Sequence, residues 1–278
     1  MILFPNCKIN LGLHILRKRN DGYHDLETVF YPLPLYEVLE VIEIDIHHRT
    51  SSLPFSMSGL AIRGTPSSNL CVKAYRMLKK DFPNLPHVMM HLHKTIPSGA
   101  GLGGGSADAA YTLKILNDKF QLGISRERLI RYALELGSDC PFFMLNKPCY
   151  ATGRGEILEP LELDLSAFKI VIVNPGIHVN TSNAFMNIVP ALPERSLKEL
   201  ILEPIATWKD LIHNDFETPI FKQHPELRNI KQQLYSAGAL YAAMSGSGST
   251  VFGFFEKDKE VDLSFPANYF YKTLISQG

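Results

Sequence analysis

The chain has 278 residues, of which 45% are hydrophobic and 20% are charged, and its 28 basic residues balance its 28 acidic ones. This length is sufficient for one large domain or two ordinary domains, each with its own core. Balanced charge excludes the strongly basic surface that binds nucleic acid or an anionic membrane. We therefore expect a globular protein with neither partner.

The cysteines form neither a CxxC pair nor a metal-ligand spacing, which is typical of a reducing compartment. No segment approaches the ~20 apolar residues that span a bilayer. The sequence begins without the basic region of a signal peptide. These features predict a cytoplasmic protein, most simply a bacterial one. The four cysteines are Cys7, Cys71, Cys140 and Cys149.

The first predicted strand covers residues 2–16, where apolar and polar residues alternate loosely. Such alternation indicates a strand with one buried and one polar face. Lys8 and Asn10 lie two residues apart on the polar face. A lysine on a strand is usually solvated, so Lys8 is either a surface residue or a group with a chemical task.

A turn and a second strand follow. Asn20-Asp21-Gly22 is typical of a turn and places Tyr23 and His24 at the start of the next segment. The next strand is predicted over residues 38–46. Residues 47–68 show little regular pattern and are expected to be irregular.

A helix is predicted over residues 69–80, with Ser67-Ser68-Asn69 supplying candidate N-caps. A strand is then predicted over residues 87–94. His91 and His93 share one face of this strand, but no third metal ligand is evident in the sequence, so a metal site is disfavoured.

The most informative stretch runs from Pro97 to Ser106 and contains five glycines. It follows a predicted strand and leads into a helix-forming run, Ala107 to Leu116. Glycines allow successive backbone N–H groups to converge on one anion. The helix N-terminus adds unpaired donors and the positive end of its dipole. The sequence therefore predicts a phosphate-binding loop.

Three other interpretations of this stretch are weaker. It is not a P-loop, because no Gly-Lys-Ser/Thr follows the glycines. It is not a dinucleotide fingerprint, because no acidic residue ends a second strand about 20 residues later. A flexible linker is disfavoured because Pro97 stiffens the entry and an amphipathic helix follows directly.

Asp139 lies at a bend whose conformation is restricted by its neighbours. Ser125 is a candidate N-cap for a helix that runs to Glu135 or beyond. Gly137 stops that helix, and Pro141 disfavours helical geometry in the residue before it. Asp139 is therefore either a functional carboxylate or the N-cap of a short following segment.

A second unit is predicted after the composition changes around residues 150–165. Its first element is a buried strand over 168–173. Later, the strands predicted over 240–244 and 251–255 flank Ser245-Gly246-Ser247-Gly248-Ser249-Thr250. This turn is typical of a hairpin, and it also suits packing against a phosphate group.

Together, these motifs resemble those of the GHMP kinase superfamily over nearly the whole chain. The glycine loop marks the superfamily, whereas Asp-Gly-Tyr-His and Gly-Ser-Asp-x-Pro mark the branch that acts on a cytidyl diphosphate sugar alcohol. The matching segments are Pro5-Asn6-Cys7-Lys8-Ile9-Asn10-Leu11, Asp21-Gly22-Tyr23-His24, Ser68-Asn69-Leu70, Lys94-Thr95-Ile96-Pro97, Gly101 to Ala110, Gly137-Ser138-Asp139-Cys140-Pro141, Gly155-Glu156 and Met244 to Gly253.

The resemblance implies an α+β fold of two domains with the active site in a cleft. Residues 1–155 would form a ribosomal protein S5 domain 2-like domain that binds ATP. Residues 156–278 would form a ferredoxin-like domain on the substrate side. The implied reaction is ATP-dependent phosphorylation of the 2-hydroxyl of 4-diphosphocytidyl-2-C-methyl-D-erythritol in isoprenoid precursor biosynthesis, with Mg²⁺. The implied assembly is a monomer or a weak homodimer.

The resemblance also implies roles for individual residues. Asp139 would take the proton of the attacking hydroxyl, and Lys8 would stabilise the developing oxyanion. For Phe185, core packing is the alternative. The ATP-binding positions would be Asn69, Lys94, Pro97, Gly99, Gly101, Gly103, Gly104, Gly105, Ser106, Gly246 and Gly248. The positions that hold the cytidyl substrate would be Asn10, Tyr23, His24, Asp139, Thr181 and Phe185.

The sequence departs from the superfamily pattern inside the loop. Gly104 and Gly105 stand where serines are usual, one of them a magnesium ligand, and the hydroxyl is found at Ser106. The protein ligand of Mg²⁺ therefore stays open. Cys7 replaces a more usual alanine, which removes no charge that the mechanism needs.

Two alternative functions remain. One is another small-metabolite GHMP kinase, such as a homoserine or mevalonate kinase, which Asp21-Gly22-Tyr23-His24 disfavours. The other is a nucleotide-binding regulator that has the scaffold without the chemistry. A regulator of that kind would be expected to lack Lys8 or Asp139, and this chain has both.

Overall fold

The structure, a computed structural model, describes residues 1–45, 53–61 and 65–275. In these ranges the strands are β1 (Ile2–Leu3), β2 (Asn6–Lys18), β3 (His24–Tyr36), β4 (Val38–Glu43), β5 (Phe55–Gly59), β6 (Val88–Lys94), β7 (Cys149–Thr152), β8 (Ile157–Pro160), β9 (Phe168–Asn174), β10 (Tyr241–Met244), β11 (Val251–Glu256) and β12 (Phe270–Ile275). The helices are α1 (Leu70–Asp81), α2 (Gly104–Lys119), α3 (Arg126–Leu136), α4 (Cys140–Leu145), α5 (Thr181–Met186), α6 (Leu197–Leu200), α7 (Trp208–Leu211), α8 (Glu217–Gln223) and α9 (Pro225–Ser236).

Backbone contacts divide the chain into two compact units. The first consists of the described parts of Met1–Cys7, Leu35–Ser98 and Gly103–Asn146. The second consists of the described parts of Lys8–Pro34, Gly99–Leu102 and Lys147–Gly278. The domain boundary expected at residue 155 stays a prediction. No helix within the described ranges is long and apolar enough to cross a membrane.

The first unit combines one sheet with helices α1 to α4. The strand order is β1-β4-β6-β5, with β4 antiparallel to both of its neighbours and β5 parallel to β6. In β6, Val88, Met90 and Leu92 are fully buried and alternate with more exposed residues. This period of two fixes which face of the strand packs against the core.

Strand β5 lies in a segment for which the sequence predicted irregular structure. Its residues Phe55–Gly59 pair in parallel with β6 at the edge of the sheet. Two serines and a glycine give it a weak β signal, so pairing with β6 rather than local preference forms the strand. Residues 46–52, which include the end of the strand predicted over 38–46, lie outside the described residues.

The second unit contains two four-stranded sheets, with orders β2-β3-β7-β8 and β10-β11-β9-β12. Strands β10 and β11 are antiparallel and flank the glycine-serine turn, which confirms the predicted hairpin. Buried Val171 and Val251 from the second sheet pack with Leu227 and Ile230 from α9 in one apolar cluster. Burial of such side chains is the main stabilising contribution in a unit of this size.

The amino-terminal strand differs from the expectation of a single half-buried strand. Phe4 and Pro5 separate β1 from β2, and both faces of β2 are buried from Asn6 through Ile15. Lys8 and Asn10 are therefore buried rather than solvated. The prediction of a half-buried strand is wrong because residues distant in sequence, Thr28, Phe30 and Ser245, contact Lys8 and Asn10. The local sequence pattern does not contain that information.

A buried glutamate stabilises the second unit. Glu27 Oε1 accepts hydrogen bonds from His14 Nδ1 at 2.9 Å and from Leu197 N at 3.1 Å. Its Oε2 accepts a hydrogen bond from Tyr150 Oη at 2.6 Å. Burial alone would raise the pKa of the Glu27 carboxyl, but the hydrogen bonds from His14, Tyr150 and Leu197 outweigh burial and lower this pKa.

We expect Glu27→Gln to lower the free energy of unfolding by about 1–3 kcal/mol at pH 7, because charge-assisted hydrogen bonds are lost. The folded-state pKa lies below the unfolded value, so this stabilisation is present above pH ~4.5 and is lost as the pH falls through the folded-state pKa. Urea unfolding at pH 7 and pH 4 measures both effects. The difference in free energy of unfolding between wild type and Glu27→Gln should be smaller at pH 4 than at pH 7.

Glu260→Gln, at an exposed site, is the control. An equal loss of free energy of unfolding in both variants would contradict the role of Glu27.

Candidate active site

The glycine loop has the conformation of an anion-binding turn. Gly99, Gly101 and Gly103 have φ values of +65°, +80° and +70°, so left-handed residues alternate along the loop. Helix α2 begins at Gly104, and its N-cap residue, Gly103, makes no side-chain capping hydrogen bond. The first N–H groups of α2 are therefore not capped by that residue, and they suit a phosphate.

Gly101 is required by packing as well as by its backbone conformation. A Cβ atom at this position would lie 2.0 Å from the carbonyl oxygen of Ser245, which is far inside van der Waals contact. By contrast, a Cβ at Gly105 would meet only Leu70, at 4.0 Å. Gly101 therefore allows the loop to pass directly against the second glycine turn, whereas Gly105 is not needed for packing.

The hydroxyl of Ser245 joins the loop to the first long strand. Ser245 Oγ accepts a hydrogen bond from Asn10 N at 3.2 Å and donates one to the carbonyl oxygen of Gly101 at 2.8 Å. Two further backbone bonds run from Thr250 N to Ala100 O at 3.2 Å and from Lys8 N to Leu102 O at 2.9 Å. These contacts bring the predicted positions Lys8, Asn10, Gly101, Gly246 and Gly248 into one part of the second unit.

The side chains of Lys8 and Asn10 are paired and buried. They are 3% and 2% exposed, and Lys8 Nζ donates to Asn10 Oδ1 at 2.6 Å. Asn10 Nδ2 donates in turn to Thr28 Oγ1 at 2.9 Å. The ammonium of Lys8 also lies 4.8 Å from the centre of the Phe30 ring, within cation–π range. These contacts exclude the interpretation of Lys8 as a solvated strand residue.

Asp139 immediately precedes α4 in the first unit. It occupies the N-cap position in a helical conformation, but its side chain makes no capping hydrogen bond. The alternative role of Asp139 as a helix cap is therefore unsupported. Its neighbour Cys140 is fully buried, and burial raises the pKa of this thiol to about 12 against the opposing effect of Ser106. Ser106, in the first turn of α2, is therefore close to the segment of Asp139.

Aromatic residues of the predicted substrate site meet in the second unit. The rings of His24 and Phe185 are stacked, with centroids 4.9 Å apart and planes at 13°. Phe185 also contacts the ring of Phe216 edge-on at 4.9 Å, so its core-packing role is real as well. Burial, followed by the charge of Lys18, lowers the pKa of His24, which keeps its imidazole neutral at pH 7.

The other predicted substrate residues have different neighbours. Tyr23 is 55% exposed, and the guanidinium carbon of Arg154 lies 4.8 Å from the centre of its ring. Thr181 Oγ1 is 3.0 Å from Ser247 Oγ in the second glycine turn. Thr181 and the glycine turn are therefore in direct contact, although they are 66 residues apart.

Among the predicted ATP positions of the first unit, Lys94 and Asn69 have defined partners, and Pro97 is half-buried. Lys94 is buried, and its ammonium donates to Glu37 Oε2 at 2.6 Å and to Asp108 Oδ2 at 2.8 Å. Asn69 caps α1 by accepting from Cys71 N at 2.8 Å. Direct contacts of these residues with ATP stay predictions.

Comparison with known families decides the identity of the fold. The family model of the GHMP kinases N terminal domain matches residues 69–147, and that of the GHMP kinases C terminal matches residues 196–265. A 4-diphosphocytidyl-2-C-methyl-D-erythritol kinase of Bacteroides fragilis is 51% identical over 274 residues, which are 98% of this chain and 99% of that protein. The chain belongs to the GHMP kinase family. The protein of the same name from Cytophaga hutchinsonii is 46% identical over 261 residues, covering 94% of each chain.

Solved structures place this GHMP kinase in the same fold. A crystal structure of 4-(cytidine 5'-diphospho)-2C-methyl-D-erythritol kinase matches with a TM-score of 0.77 and 29% identity, covering 100% of both chains. The mevalonate kinase of Methanococcus jannaschii matches with a TM-score of 0.67 and 13% identity, covering 100% of this chain and 98% of that chain. The second likeness shows the fold alone. The predicted α+β GHMP kinase fold is confirmed.

This GHMP kinase is an ATP-dependent enzyme, and Mg²⁺ as the ion that accompanies ATP stays a prediction. Within the described part of the chain, no three His, Cys, Asp or Glu side chains are grouped to hold a metal. In nucleotide sites Mg²⁺ is commonly held by the phosphates, by waters and by one or two protein oxygens. The hydroxyl of Ser106, in the first turn of α2, is a suitable oxygen of that kind.

Several contributors to the site were not identified from the sequence. Ser245 and Ser247 lie in the predicted glycine turn, so their place in that turn could have identified them as site residues. The sequence contains no pattern that identifies Asn214 as part of the site. Asn214 is buried, and its Nδ2 donates to Met244 O at 2.7 Å and to Gly246 O at 2.8 Å. This side chain therefore fixes the glycine turn from a distant loop. No sequence pattern identified Arg154, which contacts the ring of Tyr23.

We expect Gly101→Ala to lower the free energy of unfolding by about 2–4 kcal/mol and to weaken ADP binding. The added Cβ both strains a positive φ and displaces the carbonyl of Ser245. Chemical denaturation and calorimetric ADP titration measure the two effects.

Gly123→Ala is the matched control, because Gly123 also has a positive φ of +66° but a Cβ there meets nothing within 4 Å. In Gly123→Ala, the free energy of unfolding should fall only by the cost of the strained backbone, about 1 kcal/mol, and ADP binding should be normal. Equal effects of the two substitutions would show that the contact with Ser245 is unimportant.

Proposed function

We propose that the protein transfers the γ-phosphoryl group of ATP to the 2-hydroxyl of 4-diphosphocytidyl-2-C-methyl-D-erythritol, giving the 2-phosphate and ADP for isoprenoid precursor biosynthesis. The observation that carries the proposal is the 51% identity to a kinase of that name over nearly the full length of both chains. The buried lysine, the glycine loop and the stacked His24 and Phe185 support it.

The chemical step needs a base for the acceptor hydroxyl and positive charge for the phosphoryl group. Phosphoryl transfer has a loose transition state, so the enzyme mainly positions the reactants and neutralises charge. We assign the base to Asp139, the carboxylate to which the family resemblance gives this role. It takes the proton from the hydroxyl as the new O–P bond forms, and the bond from phosphorus to the ADP oxygen breaks.

Lys8 is assigned to the same reaction as a fixed cation. Its ammonium is held by Asn10 Oδ1 at 2.6 Å and by the face of the Phe30 ring. A charge that is already oriented and desolvated needs no reorganisation in the transition state, so it stabilises developing negative charge more effectively than a solvated one. The role of Asn10 in this scheme is to hold Lys8 in place as well as to line the substrate site.

The phosphates are assigned to the glycine loop and the first turn of α2. The left-handed glycines and the start of the helix supply backbone N–H groups of the kind that bind an anion. When ATP binds as its Mg²⁺ complex, the ion would neutralise phosphate charge, and the Ser106 hydroxyl in the first turn of α2 would be a protein oxygen able to hold it. Gly246 and Gly248 lie directly against the loop: a Cβ at Gly246 would be 3.5 Å from Gly101 Cα, and a Cβ at Gly101 would be 3.4 Å from the carbonyl oxygen of Gly248.

The cytidyl group is assigned to the aromatic residues of the second unit. A neutral His24 can both donate and accept hydrogen bonds, as the edge of cytosine requires. Phe185 and Tyr23 supply flat faces for the base. Thr181 adds a hydroxyl next to Ser247. This arrangement favours a cytidyl acceptor over homoserine or mevalonate, which carry no base.

Asp139→Asn should reduce kcat by about 10²–10⁴-fold and leave KM for both substrates within about twofold, because the amide keeps the shape but cannot take the proton. Coupled detection of ADP release under steady-state conditions measures both constants. Asp258→Asn, at an exposed position of the second unit, is the control and should behave as wild type. A preserved kcat in Asp139→Asn would remove this residue from the role of base.

The uridyl analogue of the proposed substrate should show a kcat/KM at least about 100-fold lower than the cytidyl compound. A mismatched base edge leaves buried polar groups of the site unpaired. The assay compares ADP release with both compounds, with homoserine and with mevalonate. Turnover of homoserine or mevalonate at a higher kcat/KM than the cytidyl compound would overturn the substrate assignment.

A further inference from the structure

Arg154 lies in the second unit and contacts the exposed ring of Tyr23. Its guanidinium carbon is 4.8 Å from the centre of this ring, which is within cation–π range. Tyr23 is 55% exposed, so a large part of its ring stays accessible to a ligand. The function proposed above places the Tyr23 ring against the cytosine base but gives Arg154 no role.

The turn between β7 and β8 holds Arg154 in place. Glu156 Oε2 accepts a hydrogen bond from Arg154 N, and Glu156 Oε1 lies 3.5 Å from Arg154 Nε. Gly153, with a φ of +70°, makes room for this carboxylate, because a Cβ there would lie 2.9 Å from Glu156 Oε2. The side chains of Arg154 and Glu156 are 30% and 17% exposed, so the pair is partly shielded from water. Arg154 is therefore more restricted than an arginine that extends freely into solvent.

Two backbone contacts join this turn to the strand that follows Tyr23. Leu26 N donates a hydrogen bond to Gly153 O at 2.8 Å. Thr28 pairs with Ala151 where β3 and β7 run antiparallel. The sheet therefore brings the cation and the ring together, although the two residues are distant in sequence.

The backbone of Tyr23 is fixed by its own turn. Tyr23 N donates to Asp21 Oδ1 at 3.1 Å, and Arg19 N donates to the carbonyl oxygen of Tyr23 at 2.8 Å. Asp21 is also paired with Arg19, whose Nη2 lies 2.9 Å from Asp21 Oδ2. Because the backbone is fixed, the freedom that remains is rotation of the Tyr23 side chain, and the contact with Arg154 restricts this rotation.

Restricting an exposed ring before a ligand arrives strengthens binding. A tyrosine side chain that samples several rotamers loses conformational entropy when a base stacks on it, and this loss lowers the affinity. A guanidinium that rests on the ring favours one rotamer in the free protein, so less entropy is lost on binding. Arginine suits this task better than lysine because its planar group stacks on aromatic faces.

We propose that Arg154 is a positioning residue, which presets the ring of Tyr23 for stacking on the base of a cytidyl acceptor. This inference rests on the proposed function, since it uses the site assigned there to the cytidyl group. Arg154 contacts neither the base nor the phosphates of the acceptor. It acts only through the ring of Tyr23.

The test is calorimetric titration of CDP into protein saturated with ADP, so that CDP cannot occupy the ATP site. Arg154→Met keeps a long side chain but removes the cation. Its Kd for CDP should be about two- to fivefold higher than that of the wild type, the size expected for an exposed cation–π contact. Arg154→Lys should recover part of this loss, because the charge remains. Tyr23→Leu should raise the Kd by about tenfold or more, because base stacking is lost.

The decisive comparison is the double variant Tyr23→Leu/Arg154→Met. Its Kd for CDP should equal that of Tyr23→Leu alone, because a residue that acts through the ring has no effect once the ring is absent. The Kd for MANT-ADP without CDP should be the same in every variant.

Lys209→Met is the matched control. Lys209 makes the same kind of contact elsewhere in the second unit, with its ammonium 5.0 Å from the centre of the Tyr235 ring. This substitution should leave the Kd for CDP unchanged. Melting temperatures identify any variant that is unfolded.

The proposal is overturned if folded Arg154→Met binds CDP as tightly as the wild type, or more tightly. It is also overturned if Arg154→Met weakens CDP binding equally with and without the Tyr23 ring, because Arg154 would then contact the ligand directly. Both outcomes leave the acceptor assignment intact. A wild-type protein that does not bind CDP in the presence of ADP would overturn the acceptor assignment together with this inference.

Discussion

The second unit depends on one hydroxyl group that holds together three segments distant in sequence. Ser245 Oγ, buried at the start of the second glycine turn, bonds to Asn10 N of β2 and to the carbonyl of Gly101 in the glycine loop. A buried hydroxyl needs its partners, so each of the three segments restricts the other two. The loop approaches so closely that only glycine is tolerated at position 101.

Buried polar groups, rather than apolar packing alone, define the candidate site. Lys8 pairs with Asn10 and Phe30 in the second unit, and Lys94 pairs with Glu37 and Asp108 in the first. Such groups add little net stability, because the cost of desolvation offsets most of their attraction. What they supply is orientation. A kinase that positions highly charged phosphates needs fixed charges, and the protein holds these buried charges in place by hydrogen bonds.

Local features could be predicted from the sequence because their causes are local. Asn69 caps α1 as expected, and Ser125 caps α3 by accepting from Arg128 N. The glycine loop followed by α2 was also predictable, because glycines and a helix-forming run determine their own conformations. The hairpin of β10 and β11 followed from the same kind of signal.

Features that depend on distant partners could not be predicted. The sequence did not identify β5 or β12, whose strands form by pairing at sheet edges. It also gave no indication that Glu37 would bury its carboxyl against Lys94, 57 residues away. The roles of Lys8, Asp139 and the substrate residues came from the family resemblance and not from local pattern. Long-range packing decides these contacts, and no window of sequence contains both partners.

The most direct test of the central claim is a crystal structure with a non-hydrolysable ATP analogue and the cytidyl substrate bound together. The account predicts an Asp139 carboxylate oxygen within about 3.2 Å of the 2-hydroxyl oxygen. It also predicts that the Lys8 ammonium faces the same oxygen and that the phosphates lie on the glycine loop. A 2-hydroxyl more than about 6 Å from Asp139, with another side chain in hydrogen-bond contact with it, would contradict the proposed mechanism.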